Sequence, residues 1–153
     1  MRLWHRRFIP YLPNRQLFDL WMDCDKISKL VRDIGEFGEY GILGDAVIRE
    51  VIDYPVEEFL GYCKLVSDEL EKRGYKIDII KLHNQMCSPV TFWNMKVNSE
   101  TTLFRDWHND RYLVQCFYIL QEQYDRGEIS TEDWTSIQAF MNSTGLIPHD
   151  DVV

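Results

Sequence analysis

No stretch of this sequence carries the roughly 20 consecutive apolar residues that a membrane-spanning helix needs. Met1 is followed by Arg2 and Trp4 rather than by the apolar core of a signal peptide. The expectation is a soluble cytoplasmic protein, neither secreted nor anchored. Cysteine is scarce and scattered: Cys24, Cys63, Cys87 and Cys116 form no C-x-x-C pair and have no histidine beside them at metal-ligand spacing. They read as free thiols, three of them on apolar stripes, and no metal site is expected. Also missing are a phosphate-cradling glycine motif, a serine-centred nucleophile elbow and a His-Glu metal helix. Gly35, Gly38, Gly41 and Gly44 recur every third residue without the Lys-Ser/Thr that a P-loop requires, so they read as a loop. No cofactor is implied.

What remains is a chain of 153 residues, 45% hydrophobic and 27% charged, long enough to bury a real core as a single domain over 1–153. Its net charge of −8 is unevenly placed. Residues 1–32 hold seven basic side chains (Arg2, Arg6, Arg7, Arg15, Lys26, Lys29, Arg32) against Asp19, Asp23 and Asp25, while the rest holds ten basic against twenty-two acidic. A basic pole on an acidic body can attract phosphate locally, although the body as a whole repels duplex DNA.

The periodicity predicts a mostly α fold of about five helices. Leu17, Leu20, Trp21, Cys24, Ile27 and Val31 repeat at three and four residues after Pro13, with Asn14 as N-cap and an end near Asp33. Asp45 caps a short helix bearing Val47, Ile48, Val51 and Ile52, which breaks at Tyr54. Pro55 opens a helix whose buried stripe is Val56, Phe59, Cys63, Val66 and Leu70, whose wet face includes Glu58 and Glu69, and whose stop is Gly74. Residues 75–107 show no sustained period and read as irregular, with a short extended stretch at Val90–Trp93. Asn109 caps a further helix ending at Gly127, and Ser130 with Asp133 opens a last one ending near Gly145.

Chemistry has few candidates. His83, His108 and His149 fall in loops or at a helix start and read as solvated, whereas His5 lies within the basic pole. The α-amino group of Met1 is a further candidate: an unperturbed N-terminal amine titrates near 7.7 to 8.0, so roughly a tenth of it is neutral and nucleophilic at pH 7, and such an amine needs no lysine to form a Schiff base.

The opening MRLWHRRFIPYLPNRQLFDLWMDC resembles the start of the pyrimidine-dimer DNA glycosylases of the endonuclease V type, which begin M-R-L-W and continue into a helix with a Trp-Arg-Glu run. VIREVIDYPVEEFLGYCKLVSDELEKRGYKI is similar to that family's second long helix, and FRDWHNDRYLVQCFYILQEQYDRGEIS to the C-terminal region of bacterial relatives. The resemblance implies a small helical enzyme whose N-terminal amine attacks the sugar C1′ of a damaged pyrimidine nucleotide, the imine then permitting strand cleavage by β-elimination. Carried over by position, Met1 supplies the amine, Arg2 a phosphate contact and Asp23 the proton-handling carboxylate. His5, Arg6, Arg7 and Arg15 would extend the phosphate surface. Trp4, Phe8, Tyr11 and Trp21 could wall an extruded nucleotide. The sequence departs from the pattern where the family's Arg-Glu becomes Met22-Asp23, losing a guanidinium and one methylene, and where Asp45 replaces a histidine.

Two functions follow from these residues. One is a DNA repair glycosylase with AP-lyase activity on pyrimidine dimers or a related lesion in damaged DNA. The other is a catalytically decayed member of the scaffold that binds a small nucleotide ligand or a protein partner, such as a phage counter-defence protein.

Overall fold

A computed structural model of the chain describes residues 2–37, 46–77 and 96–147. Among these residues the secondary structure is helical throughout, with no strand. Met1, Asp45, Cys87, His83, His149, three of the loop glycines and the expected extended stretch at Val90–Trp93 lie outside the described residues.

The first element is a 3-10 helix, Arg6–Tyr11, where the sequence shows no helical period. His5 caps it, its Nδ1 accepting from the Arg7 N–H at 3.1 Å, and Pro10 inside it has no N–H to leave unpaired. Helix α1 then runs Asn14–Phe37, about 36 Å long. It starts one residue earlier than expected: the Leu17 N–H bonds to the Pro13 carbonyl, so Asn14 is already helical and its side-chain oxygen accepts from Arg73 instead. The helix also continues past Asp33 and through Gly35, because one glycine lowers helix propensity by only about 1 kcal/mol. Leu17, Leu20, Cys24 and Ile27 face inward, as their spacing demands.

Helices α2 (Ala46–Ile52) and α3 (Val56–Lys72) follow, both packed on α1. The central helix is α3. It meets α1, α2 and the 3-10 helix, so Leu60, Gly61, Tyr62, Leu65 and Ser67 are buried beside the stripe residues Phe59, Cys63, Val66 and Leu70. Val56, expected inside, is 37% exposed. Two residues of the expected wet face turn inward. Glu58 accepts the Phe104 N–H at 3.0 Å, and Glu69 pairs with Arg73 at 2.9 Å. Gly61 permits close packing here, since an added Cβ would lie 3.2 Å from Leu103 Cδ2.

Residues 96–109 are irregular, as their lack of period predicts, yet they bury Leu103, Phe104 and His108. Phe104 is fully buried at a left-handed φ of 54°, and its carbonyl accepts from the N–H groups of Trp107 and His108. That turn drives His108 into the interior, where it is 3% exposed, correcting the expectation of a solvated histidine. Helix α4 (Asp110–Asp125) opens on the Asn109 cap and α5 (Thr131–Thr144) on Ser130, whose Oγ accepts from the Asp133 N–H. Gly127 and Gly145 follow these helices at φ 81° and 70°, left-handed positions that suit glycine. The two helices pair through Trp134, stacked against both Phe117 and Tyr124, while α5 closes over the 3-10 helix. Cys24, Cys63 and Cys116 are buried free thiols, and burial raises the pKa of Cys63 well above its ordinary range. No helix among the described residues is long and apolar enough to cross a membrane.

Candidate active site

The N-terminal segment enters the helical body as an extended chain held at almost every residue. Tyr112 Oη donates to the Leu3 carbonyl and Tyr62 Oη to the Trp4 carbonyl. The Arg6 N–H donates to His108 Nδ1 at 3.2 Å, and Arg6 Nη1 donates to the carbonyls of His108 (3.1 Å) and Leu103 (3.4 Å). His5 completes the clamp: because Nδ1 accepts, the proton sits on Nε2, which donates to the His108 carbonyl at 3.0 Å. The two imidazoles stack with centroids 5.1 Å apart. Burial, helped by the Arg6 charge, pushes the His5 pKa down to about 3, and burial also holds His108 well below the usual histidine range. Burial raises the Tyr62 hydroxyl pKa well above that of a free phenol, so it remains a donor.

This clamp brings Arg2 to α1. Its backbone N–H donates to Asp23 Oδ2 at 3.3 Å, and its guanidinium lies over the Trp4 ring, 5.1 Å from the centroid. Arg2 and Trp4 form one wall of a 230 Å³ cavity. Gln16, Asp19, Leu20 and Asp23, at i, i+3, i+4 and i+7 of α1, form its floor, and Gln123 of α4 the opposite side. Arg2 also lines a second concavity of 340 Å³, with Val47, Glu50, Trp107 and Tyr112. Arg2 thus borders two hollows, one with Asp19 and Asp23 on its floor and one lined by Glu50, Trp107 and Tyr112.

The structure sorts the other residues singled out in the sequence. Asp23 is half-buried, while its neighbour Met22 is 64% exposed. Only Trp4 of the four candidate wall aromatics stands beside Asp23. Phe8 is fully buried against Phe140, and Trp21 packs on the core. Tyr11 stacks on Phe140 at 4.6 Å and lines, with Arg15, a separate 610 Å³ groove. His5 and Arg6 point into the fold rather than toward a phosphate at the surface. Arg7 is paired with Glu100 at 3.3 Å and lies over Phe140, whereas Arg2 and Arg15 border open cavities. Residues to which the sequence gave no functional role are Tyr62, Tyr112, Gln16 and Gln123, together with His108, which it read as solvated. Each gains its role from a partner more than fifty positions away.

A helical body that fastens its own N-terminal segment against a carboxylate on the first long helix defines a class of small α proteins built around that segment. Residues 1–82 match the family model described as pyrimidine dimer DNA glycosylase. That is more than half of the chain, which therefore belongs to the pyrimidine dimer DNA glycosylase family. No curated protein and no solved structure matches it. The matched part contains Arg2, Trp4 and Asp23, whereas Trp107, His108, Tyr112 and Gln123 come from beyond it.

Proposed function

We propose that this protein excises a damaged pyrimidine from DNA and then cleaves the strand, using the Met1 amine as nucleophile and Asp23 as the proton-handling carboxylate. The observation that carries this reading is the 3.3 Å contact between Asp23 Oδ2 and the Arg2 backbone nitrogen. An α-amine is three bonds from the next residue's nitrogen and so at most about 3.7 Å from it. Whatever rotation residue 1 adopts, the Met1 amine is then within about 7 Å of Asp23 Oδ2, inside the range that a rotation or one water bridges.

The reaction runs in balanced steps. The neutral amine adds to C1′ and the glycosidic bond breaks, the base leaving with the electron pair and a proton. The nitrogen then loses a second proton as its lone pair opens the sugar ring at the C1′–O4′ bond, O4′ leaving as a hydroxyl with that proton, and an imine forms at C1′. A base then removes a C2′ proton, and the 3′ phosphate departs by β-elimination. Asp23, hydrogen-bonded to the Arg2 N–H, would accept and return protons, and the Arg2 guanidinium, over the Trp4 ring, would meet a flanking phosphate. The neighbouring aromatic hollow offers an apolar surface to a nucleotide leaving the stack.

Met22 favours the second reading, a binder that has lost catalysis, because an exposed methionine stands where the family has an arginine. Borohydride reduction on abasic-site DNA separates the two. An imine-forming enzyme becomes covalently attached, and attachment disappears when the terminal amine is acetylated. Absence of trapping under conditions where an established family member reacts sinks the glycosylase reading.

A further inference from the structure

Strand cleavage through an imine needs two groups at once: an acid that keeps a proton on the imine nitrogen, so that the C=N bond can take up electrons, and a base for the C2′ proton. Asp23 suits the first task, because its Oδ2 is held by the N–H of Arg2, the residue bonded to Met1. A carboxylic acid donating to the nitrogen is not at that moment a base. A second carboxylate borders Arg2. Ala46, Val47 and Glu50 share one face of α2 at i, i+1 and i+4, while Ile48 and Val51 are buried in the core. That face joins Trp107 and Tyr112 around the 340 Å³ concavity that Arg2 also lines, and among the described residues lining it Arg2 and Glu50 are the only charged ones. Tyr112 lies between the chain end and this pair of charges. Its hydroxyl donates to the Leu3 carbonyl, and burial, with Cys116, raises its pKa while Arg2 and Glu50 act on it in opposite directions. Glu50 is exposed, so its carboxylate is open to a substrate.

We infer that Glu50 is the base that removes the C2′ proton in strand cleavage, acting from the concavity beside Arg2 while Asp23 serves the nitrogen. This inference rests on the proposed imine chemistry. The carboxylate takes the proton from C2′, the C–H pair becomes the C1′=C2′ bond, and the C=N pair moves to the nitrogen. That pair then re-forms C=N, the C1′=C2′ pair shifts to C2′=C3′, and the C3′–O bond breaks with its electrons leaving on the 3′ phosphate. Water hydrolyses the conjugated imine and frees the Met1 amine. Because C2′ is two bonds from the nitrogen, its base must stand near the chain end without being tied to it. Glu50 meets that requirement from a separate helix, and Arg2 beside it offsets the repulsion between a carboxylate and the DNA phosphates.

The test follows two products on duplex DNA with one abasic site: the imine, trapped by borohydride, and the cleaved strand. Glu50→Gln should form the imine at a rate within about threefold of wild type and cleave at least tenfold more slowly, so that trapped protein accumulates on uncleaved strand. Deuterium at C2′ should slow the residual cleavage further, because proton removal has become the slow step. Glu50 is exposed, so the variant keeps its fold. Cleavage within threefold of wild type overturns the inference, as does an absent isotope effect in the variant. A parallel loss of trapping and cleavage also overturns it and makes Glu50 a counter-charge for Arg2. Absence of trapping in wild type defeats the proposed reaction and the inference with it, an outcome distinct from normal wild-type trapping with an unaffected variant.

Discussion

The carboxylate of Asp23 accepts the backbone N–H of Arg2 across 21 residues of chain, tying the N-terminal segment to the middle of the first long helix. Asn at position 23 keeps an oxygen for that N–H but cannot take a proton. Asp23→Asn is therefore expected to lower single-turnover cleavage by about 10²–10⁴-fold. DNA affinity should be unchanged or improved, since an anion near phosphate is removed. Asp23→Glu retains activity above the Asn variant. Rate and binding measured on the same preparations check both, and equal losses in the two quantities would make Asp23 a structural anchor only.

Met22 is 64% exposed next to Asp23 and supports no core packing, so a cation there adds charge without disturbing the fold. Met22→Arg should tighten DNA binding and steepen the plot of log affinity against log salt by about 0.9, the value for one added phosphate contact. Anisotropy titrations over a salt series read the slope directly, and an unchanged slope places position 22 away from the DNA.

Tyr62 and Tyr112 hold the carbonyls of Trp4 and Leu3. Removing either hydroxyl strands a carbonyl, with Tyr62 the more costly because it has no exposed surface. Tyr62→Phe should lose about 1–3 kcal/mol of unfolding free energy, and Tyr112→Phe, which is half-buried, less. Urea unfolding measures both. If these bonds also position the chain end, catalysis falls in Tyr112→Phe while the DNA dissociation constant stays near that of wild type.

His5 and His108 are held neutral by burial, with His5 pushed down to about 3. Their folded pKa values lie below the unfolded value of about 6.5, so below pH 6.5 the unfolded chain binds more protons than the folded one. Stability from this pair is fully present above pH 6.5 and declines as pH falls toward 3. His5 contributes a loss on the order of 2 kcal/mol by pH 5, from about 1.4 kcal/mol per pH unit, and His108 adds a loss of the same sign. Urea midpoints at pH 7.5 and 5 test this, and a His5→Asn variant, which can still cap the 3-10 helix, should show a shallower decline.

Helices were legible wherever a single face is buried and a cap stands before it. The Asn109 and Ser130 caps, the stops at Gly74, Gly127 and Gly145 and the inward stripe of α1 all follow from spacing and backbone chemistry. The 3-10 helix was not legible, because six residues holding Pro10 carry too short a pattern to show a period. Glu58 and Glu69 were misread for another reason: α3 is covered on several sides, and a charged residue on a covered face turns inward once it finds a partner.

The candidate site divides along the same line. Sequence alone led to the expectation that Arg2 and a carboxylate on the first helix come together, because the opening residues resemble those of a family to which both positions carry over, and the structure brings Arg2 and Asp23 into contact. It also determined which face of α1 is wet, since 3.6 residues per turn fix that locally. Tertiary structure alone decided that His5 and His108 pair, that two tyrosines grip the N-terminal segment, and that Gln16 meets Gln123. Those partners lie 58 to 109 positions apart. No local period encodes such separations: they exist only once α3, α4 and the turn at Phe104 have packed around the chain's first residues, where buried polar groups must find partners that water no longer supplies.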